Sequence, residues 1–131
     1  MAIQVELHQI IIREMENEQI IVLKEVDGER RLPIMIGSSE AFAIDRRLKG
    51  IAPPRPMTHD LLASVIEQMG GVLERIEITR LENGTFFACL RVKQDGRVLQ
   101  VDSRPSDAIA LGVTGSVPIY VAEDVMEVAG G

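Results

Sequence analysis

Residues 54–62, PRPMTHDLL, are echoed later in the chain by residues 103–111, SRPSDAIAL. Each stretch has an Arg-Pro pair, then a hydroxyl residue, an acid and an apolar run, which is the order of residues typical of a helix start. Proline ends the element before it, and Thr58 and Ser106 are good N-cap residues. The sequence therefore predicts two helices, each beginning at one of these hydroxyl residues.

Both helix starts carry a charge pattern that has two interpretations. Asp60 and Asp107 fall in the first turn, where the helix dipole favours a carboxylate. Arg55 and Arg104 lie just upstream, and helix N-termini attract anions, so both starts are candidate phosphate sites. A well-capped helix without a ligand has the same pattern. The residues alone leave both interpretations open.

Composition limits the protein classes to consider. The chain has 131 residues, of which 46% are hydrophobic, so a single domain over residues 1–131 is expected. The 14 basic and 20 acidic residues give a net charge of -6, which argues against a protein that holds many phosphates regardless of sequence. Cys89 is the only cysteine, which excludes an intramolecular disulfide and a cysteine-rich zinc site. No signal-like or membrane-spanning segment is apparent, so a cytoplasmic location is expected.

Alternating apolar residues and turn dipeptides predict an α+β fold. Two β-meanders, each followed by a helix, would form a mixed or antiparallel sheet packed with about three helices. The hairpin signals are Asp27-Gly28, Asn83-Gly84 and Asp95-Gly96. Residues 123–131 are expected to fray.

The helix that starts at Thr58 has apolar residues at helical spacing, which predicts a stripe facing the core. These residues are Leu61, Leu62, Val65, Ile66 and Met69.

The two meander-plus-helix units look like an internal repeat of residues 3–48 and 72–113. Residues 39–44, SEAFAI, match residues 106–111, SDAIAL, position by position. The alternative is a convergent match without duplication, because capped alanine-rich helices after a hairpin are common. A repeat would place Glu40 and Asp107 at equivalent positions.

The sequence contains no Walker A loop, dinucleotide-binding glycine motif, HExxH or GxSxG. His59 lies in the first helical turn, where the dipole favours a neutral imidazole that can accept a proton, bind a metal or simply form a hydrogen bond. The basic pair Arg46-Arg47 is interpreted as a solvated face. Carboxylates would form a magnesium or manganese site if the helix starts converge in space. They are Glu40, Asp60, Asp102 and Asp107.

Four segments in order resemble the bifunctional nuclease domain family of bacteria and plants. They are LPIMIGSSEAFAI (32–44), PRPMTHDLL (54–62), NGTFFACL (83–90) and VDSRPSDAIAL (101–111). The resemblance implies an α+β domain and, for plant relatives, nuclease activity on both RNA and DNA. Two positions depart from the family pattern. Met35 replaces a frequent aromatic residue, and Phe87 replaces a frequent tyrosine, which removes a hydroxyl group.

The resulting hypothesis is metal-assisted hydrolysis of phosphodiester bonds in nucleic acid. Candidate bases or catalytic ligands are His59, Asp60 and Asp107. Candidate ligands for Mg²⁺ or Mn²⁺ are Glu40, Asp60 and Asp107, while Arg55 and Arg104 would stabilise phosphate charge. The alternative is a non-catalytic interaction or regulatory module. In either case a homodimer is expected, because a sheet of two meanders leaves edges that must be covered or paired.

Overall fold

A seven-stranded mixed sheet and four helices make up the chain in a computed structural model that describes residues 1–131, which confirms the predicted α+β class. The strands are β1 (Ala2–Ile11), β2 (Glu18–Glu25), β3 (Arg31–Gly37), β4 (Gly71–Glu82), β5 (Thr85–Gln94), β6 (Arg97–Ser103) and β7 (Ile119–Ala122). The helices are α1 (Ser38–Leu48), α2 (Thr58–Gln68), α3 (Pro105–Gly112) and α4 (Glu123–Ala129).

The sheet joins two antiparallel meanders through one short central strand. Its strand order is β3-β2-β1-β7-β4-β5-β6. Strand β7 pairs antiparallel with β1 and parallel with β4, so four residues connect the two halves. Each half has the same order of three strands followed by a helix, as expected of a repeat. The origin of the halves by duplication stays a prediction.

Helix α3 lies in the centre of the core. All of its residues are buried except Asp107, and the helix contacts α1, α2, β4 and β5. Its alternating Ala-Ile-Ala-Leu run lets neighbouring elements approach closely. At its end, a Cβ on Gly112 would lie 2.6 Å from Ile76 Cδ1 and 3.2 Å from Val117 Cβ. Helix α3 is therefore held firmly, and Asp107 is presented at its start.

Helix α2 differs from its prediction. None of its residues is buried, and only Ala63 and Ile66 pack against the core. Four residues of the predicted core stripe are exposed, because α2 packs mainly against α3 and β4 and no element covers its outer face. They are Leu61, Leu62, Val65 and Met69.

Two other sequence predictions were wrong. Asp27-Gly28 does not form a two-residue turn with positive φ angles, because β2 and β3 are joined by a longer loop closed by a hydrogen bond from Glu25 N to Arg30 O. Residues 123–129 form a helix instead of fraying, since Val125 and Met126 are buried in the core.

None of the helices has the length and apolar character needed to span a membrane.

The predicted N-caps, Thr58 and Ser106, are also wrong by one or two positions. The N-cap residues are Met57 and Arg104, with extended backbone, and Pro105 is the first residue of α3. Proline is favoured at that position because its missing N–H would have no helical partner. The hydroxyl residues therefore lie inside the first turns.

Candidate functional site

Three helix starts place an acid at the same position. The N-caps Gly37, Met57 and Arg104 each precede an acid by three residues, so Glu40, Asp60 and Asp107 are all third in their helices. A carboxylate there faces the free N–H groups of the first turn and the positive end of the helix dipole. The first-turn placement predicted for Asp60 and Asp107 is thus confirmed.

Asp107 forms a pair with His59, which the sequence did not predict. His59 Nε2 lies 2.9 Å from Asp107 Oδ1, across the interface between α2 and α3. An ionised carboxylate can only accept, so Nε2 carries the proton and donates. Nδ1 makes no hydrogen bond within the chain, and in the neutral imidazole it carries the lone pair. The imidazole is thereby held in one orientation with one nitrogen free.

Arg104 connects this pair to Glu40. Its Nε donates to Asp107 Oδ2 at 2.9 Å, and its Nη1 donates to Glu40 Oε1 at 3.1 Å. The Arg104 side chain is 65% exposed, whereas His59 is 12% exposed. The structure therefore brings Glu40, His59, Arg104 and Asp107 together in one row, which we call the polar row.

The polar row favours ionised Asp107. Partial burial alone would raise the pKa of this carboxyl, but hydrogen bonds from His59 and Arg104 outweigh burial, so the pKa lies below its ordinary value. The hydrogen bond to Asp107 is the main cause that raises the pKa of the Arg104 guanidinium, and Glu40 adds to it. Asp107 is therefore a fixed negative charge beside the imidazole at neutral pH.

Two cavities meet at the polar row. A cavity of about 630 Å³ lies on one side, between α2, β5 and β6, and includes Leu62, Phe86 and Val101 in its lining. A cavity of about 280 Å³ lies on the other side, beside Glu40 and Arg46. His59, Arg104 and Asp107 line both cavities. A ligand in either cavity would contact these three side chains.

Asp60 lies apart from the polar row, although it neighbours His59 in sequence. It accepts a hydrogen bond from the backbone N–H of Met57 at 3.0 Å and forms ion pairs with Arg46 and Arg47. The Met57 hydrogen bond, together with these arginines, lowers the pKa of Asp60 below its ordinary value. Asp60 therefore holds the start of α2 in place instead of facing the cavities.

Arg47 joins three helices, which the sequence interpretation of Arg46-Arg47 as a solvated face does not predict. The Arg47 side chain is only 9% exposed, and its Nε donates to Ala110 O at 2.6 Å. It also binds Asp60, so one side chain of α1 connects α2 to the end of α3. Its sequence neighbourhood gives no signal of this role, since the partners are distant along the chain.

Two other candidates do not join the polar row. Arg55 is exposed in the loop before α2 and makes no ion pair or hydrogen bond. Asp102 is exposed on β6, although it lines the larger cavity. The structure thus gives the two predicted phosphate-binding arginines different surroundings.

The predicted metal ligands do not fit a metal ion in this arrangement. No group of three or more His, Cys, Asp or Glu side chains is placed to hold one. Asp60 forms ion pairs with two arginines. The guanidinium of Arg104 lies between Glu40 and Asp107, in the place that a cation shared by these two carboxylates would take. The guanidinium supplies the positive charge that neutralises these carboxylates.

Comparisons with known proteins identify relatives in bacteria and plants. The chain is 41% identical over 121 residues to an uncharacterized protein of Mycobacterium tuberculosis, covering 92% of this chain and 72% of that protein. It is 27% identical over 114 residues to Bifunctional nuclease 1 of Oryza sativa subsp. indica, covering 84% of this chain and 34% of that protein. It is 28% identical over 105 residues to Bifunctional nuclease 1 of Arabidopsis thaliana, covering 77% of this chain and 32% of that protein.

The sequence model of the bifunctional nuclease domain family matches residues 21–131. This range contains all four segments that carry the sequence resemblance, and it includes every residue of the polar row. The chain therefore belongs to the bifunctional nuclease domain family.

Proposed function

We propose that this protein hydrolyses phosphodiester bonds of RNA and DNA at the polar row. The observation that carries the proposal is the His59–Asp107 pair, at 2.9 Å, between two cavities and beside an exposed arginine. A histidine oriented by a carboxylate is a common arrangement for a general base. Membership of a nuclease domain family supplies the substrate class.

In the proposed reaction, His59 Nδ1 takes a proton from water as the water oxygen attacks phosphorus. The new P–O bond forms while the bond to the leaving nucleoside oxygen breaks, and the proton passes from the imidazolium to that oxygen. Asp107 stabilises the imidazolium while it exists. Arg104 uses two hydrogen bonds within the chain and keeps other N–H donors free for the phosphate oxygens.

The chain's own side chains carry each step of the proposed reaction, because Arg104 occupies the place between Glu40 and Asp107 that a shared cation would take. Dependence on Mg²⁺ or Mn²⁺ stays a prediction. Measuring cleavage with either ion and with a chelator tests it separately from the role of His59.

The test of the proposed function is cleavage of labelled single-stranded RNA and DNA by the pure protein. His59→Ala and Asp107→Ala should each lower the rate by at least about 100-fold, the size of a general-base contribution. His8→Ala is the matched control, since His8 is the other histidine and is exposed on β1. It should retain the full rate.

The alternative function predicts another result. If Asp107 only stabilises the start of α3, Asp107→Ala costs about 1 kcal/mol of stability and leaves any rate unchanged. Cleavage that survives both site substitutions belongs to a contaminant. The non-catalytic interaction or regulatory module would then be the better explanation.

A further inference from the structure

The two edges of the sheet are protected differently. At the β3 edge, Gly131 exchanges two backbone hydrogen bonds with Arg31, at 3.1 and 2.9 Å, and Pro33 lacks an N–H. At the β6 edge, every residue from Arg97 to Asp102 is exposed and no proline interrupts the strand. Unprotected edge strands pair readily with another strand. The β6 edge is therefore the one open to a partner.

This open edge continues into an apolar surface. Leu99 and Val101 lie opposite Val92 and Leu90, which are buried beneath the helices, so they face the same side of the sheet. Leu99 is 36% and Val101 44% exposed. Val101 and Leu62 of α2 line the same cavity. The edge and the exposed residues of α2 thus form one uncovered surface.

We propose that a second copy of this chain pairs antiparallel with β6 about a two-fold axis at Gln100. A two-fold axis perpendicular to the sheet keeps the helix-covered faces of both copies on the same side. In this register Leu99 lies opposite the partner's Val101, so apolar residues meet on that face. It also pairs all seven residues of the strand, from Arg97 to Ser103. Registers centred on Leu99 or Val101 leave residues unpaired.

The same register brings a charge to the polar row. The partner's Arg97 lies opposite Ser103, which lines the larger cavity with Arg104 and Asp107. The polar row holds two carboxylates, Glu40 and Asp107, against one guanidinium, so it lacks a positive charge when His59 is neutral. Arg97 of the partner subunit supplies that charge. Each site is completed by an arginine from the other copy.

The assembly is tested without any activity measurement. In a Cys89→Ser background, Gln100→Cys should crosslink rapidly with a short bis-maleimide, because the two introduced thiols lie opposite each other across the two-fold axis. Val98→Cys is the matched control on the same strand. In this register the two copies of residue 98 lie about 13 Å apart along the strands, because they are offset by about four residues of about 3.3 Å each. Light scattering that shows only monomer, or faster crosslinking at Val98 than at Gln100, would overturn the proposal.

The shared site is tested by mixing two variants with lowered activity, and this part rests on the proposed function. Arg97→Ala should lower the cleavage rate by about 10-fold or more while leaving the protein dimeric. Mixing it with His59→Ala should restore part of the rate, because one site of the mixed dimer has both side chains. A crosslinked dimer without restoration would overturn the role of Arg97. If wild-type protein does not cleave at all, the proposed function fails, and crosslinking still decides the assembly.

Discussion

Asp107 is the one residue of α3 that is not buried, and its two oxygens serve different partners. Oδ1 accepts from His59 and Oδ2 accepts from Arg104. The bond to His59 orients the ring, whereas the bond to Arg104 fixes a guanidinium beside it. Asn would have to turn its NH2 group toward one of these partners; facing His59, it would require the other imidazole tautomer and place the proton on Nδ1.

The lowered pKa of Asp107 gives a pH dependence of stability. The ionised carboxyl contributes stability above its unfolded pKa, for which 3.8 is the reference value, and this contribution is lost as the pH falls through the lower folded value. The free energy of unfolding of wild type minus that of Asp107→Asn should therefore be constant near neutrality and shrink below about pH 4. Urea titrations at several pH values measure it.

The matched control for this measurement is Asp102→Asn. Asp102 is exposed and makes no hydrogen bond or ion pair within the chain. Its replacement should change the free energy of unfolding by less than about 0.5 kcal/mol at neutral pH. A difference for Asp107→Asn that stays unchanged into acid would contradict the assignment of its carboxyl as the stabilising group.

At the scale of elements, the polar row depends on how α1, α2 and α3 are held together. Arg47 of α1 reaches both Asp60, at the start of α2, and the carbonyl of Ala110 in α3. His59 and Asp107 are on the two helices that Arg47 joins. The separation between the imidazole and the carboxylate is thus set by a side chain outside the polar row.

Arg47→Lys should therefore destabilise the protein by about 2–3 kcal/mol, because lysine cannot make several directed hydrogen bonds from a buried position. Arg46→Lys is the matched control. Arg46 makes a single longer contact with Asp60, at 3.4 Å, and its replacement should cost less than about 1 kcal/mol. Equal losses in thermal or urea unfolding would contradict the role given to Arg47.

Local sequence patterns predicted the elements well where the chemistry is local. Asn83-Gly84 and Asp95-Gly96 both have positive φ angles, between 50° and 78°, as two-residue hairpins require. The exposure of the apolar face of α2 was not predictable from local patterns. Helical spacing shows that Leu61 and Val65 share a face, but it does not show whether any element covers that face.

The candidate site shows the same division. The helix-start motifs and the family resemblance pointed to six candidate side chains. The structure brings four of them together and leaves Asp60 and Arg55 outside. The His59–Asp107 pair spans 48 positions of sequence, and the Arg47–Ala110 bond spans 63. Such contacts follow from how helices pack on the sheet, and no residue pattern near either partner reports them.

At the scale of the whole molecule, charge decides how strongly nucleic acid can bind. The net charge is -6, and most arginines are already paired with carboxylates, including Arg30, Arg75, Arg91 and Arg104. Few cations remain to displace the counterions of a polynucleotide. Binding is therefore expected to be weak and confined to a few phosphates.

Affinity for a labelled single-stranded oligonucleotide should consequently depend only slightly on salt. With about two phosphates neutralised, the slope of log K against log salt concentration should be about -1 to -2. Fluorescence anisotropy of the His59→Ala variant, which should not cleave, measures it. A slope near about -5 would indicate an extended basic track, which the distribution of charges does not provide.

The position of β7 has a consequence for synthesis of the protein on the ribosome. This strand lies between the two meanders in the sheet, yet it is translated after both of them. Until residues 119–122 leave the exit tunnel, the nascent chain has two separate three-stranded pieces, and the inner edges of β1 and β4 are unpaired. Such edges are prone to misassembly. A chaperone bound to the emerging chain would be of most use in this interval, before β7 joins the two halves of the sheet.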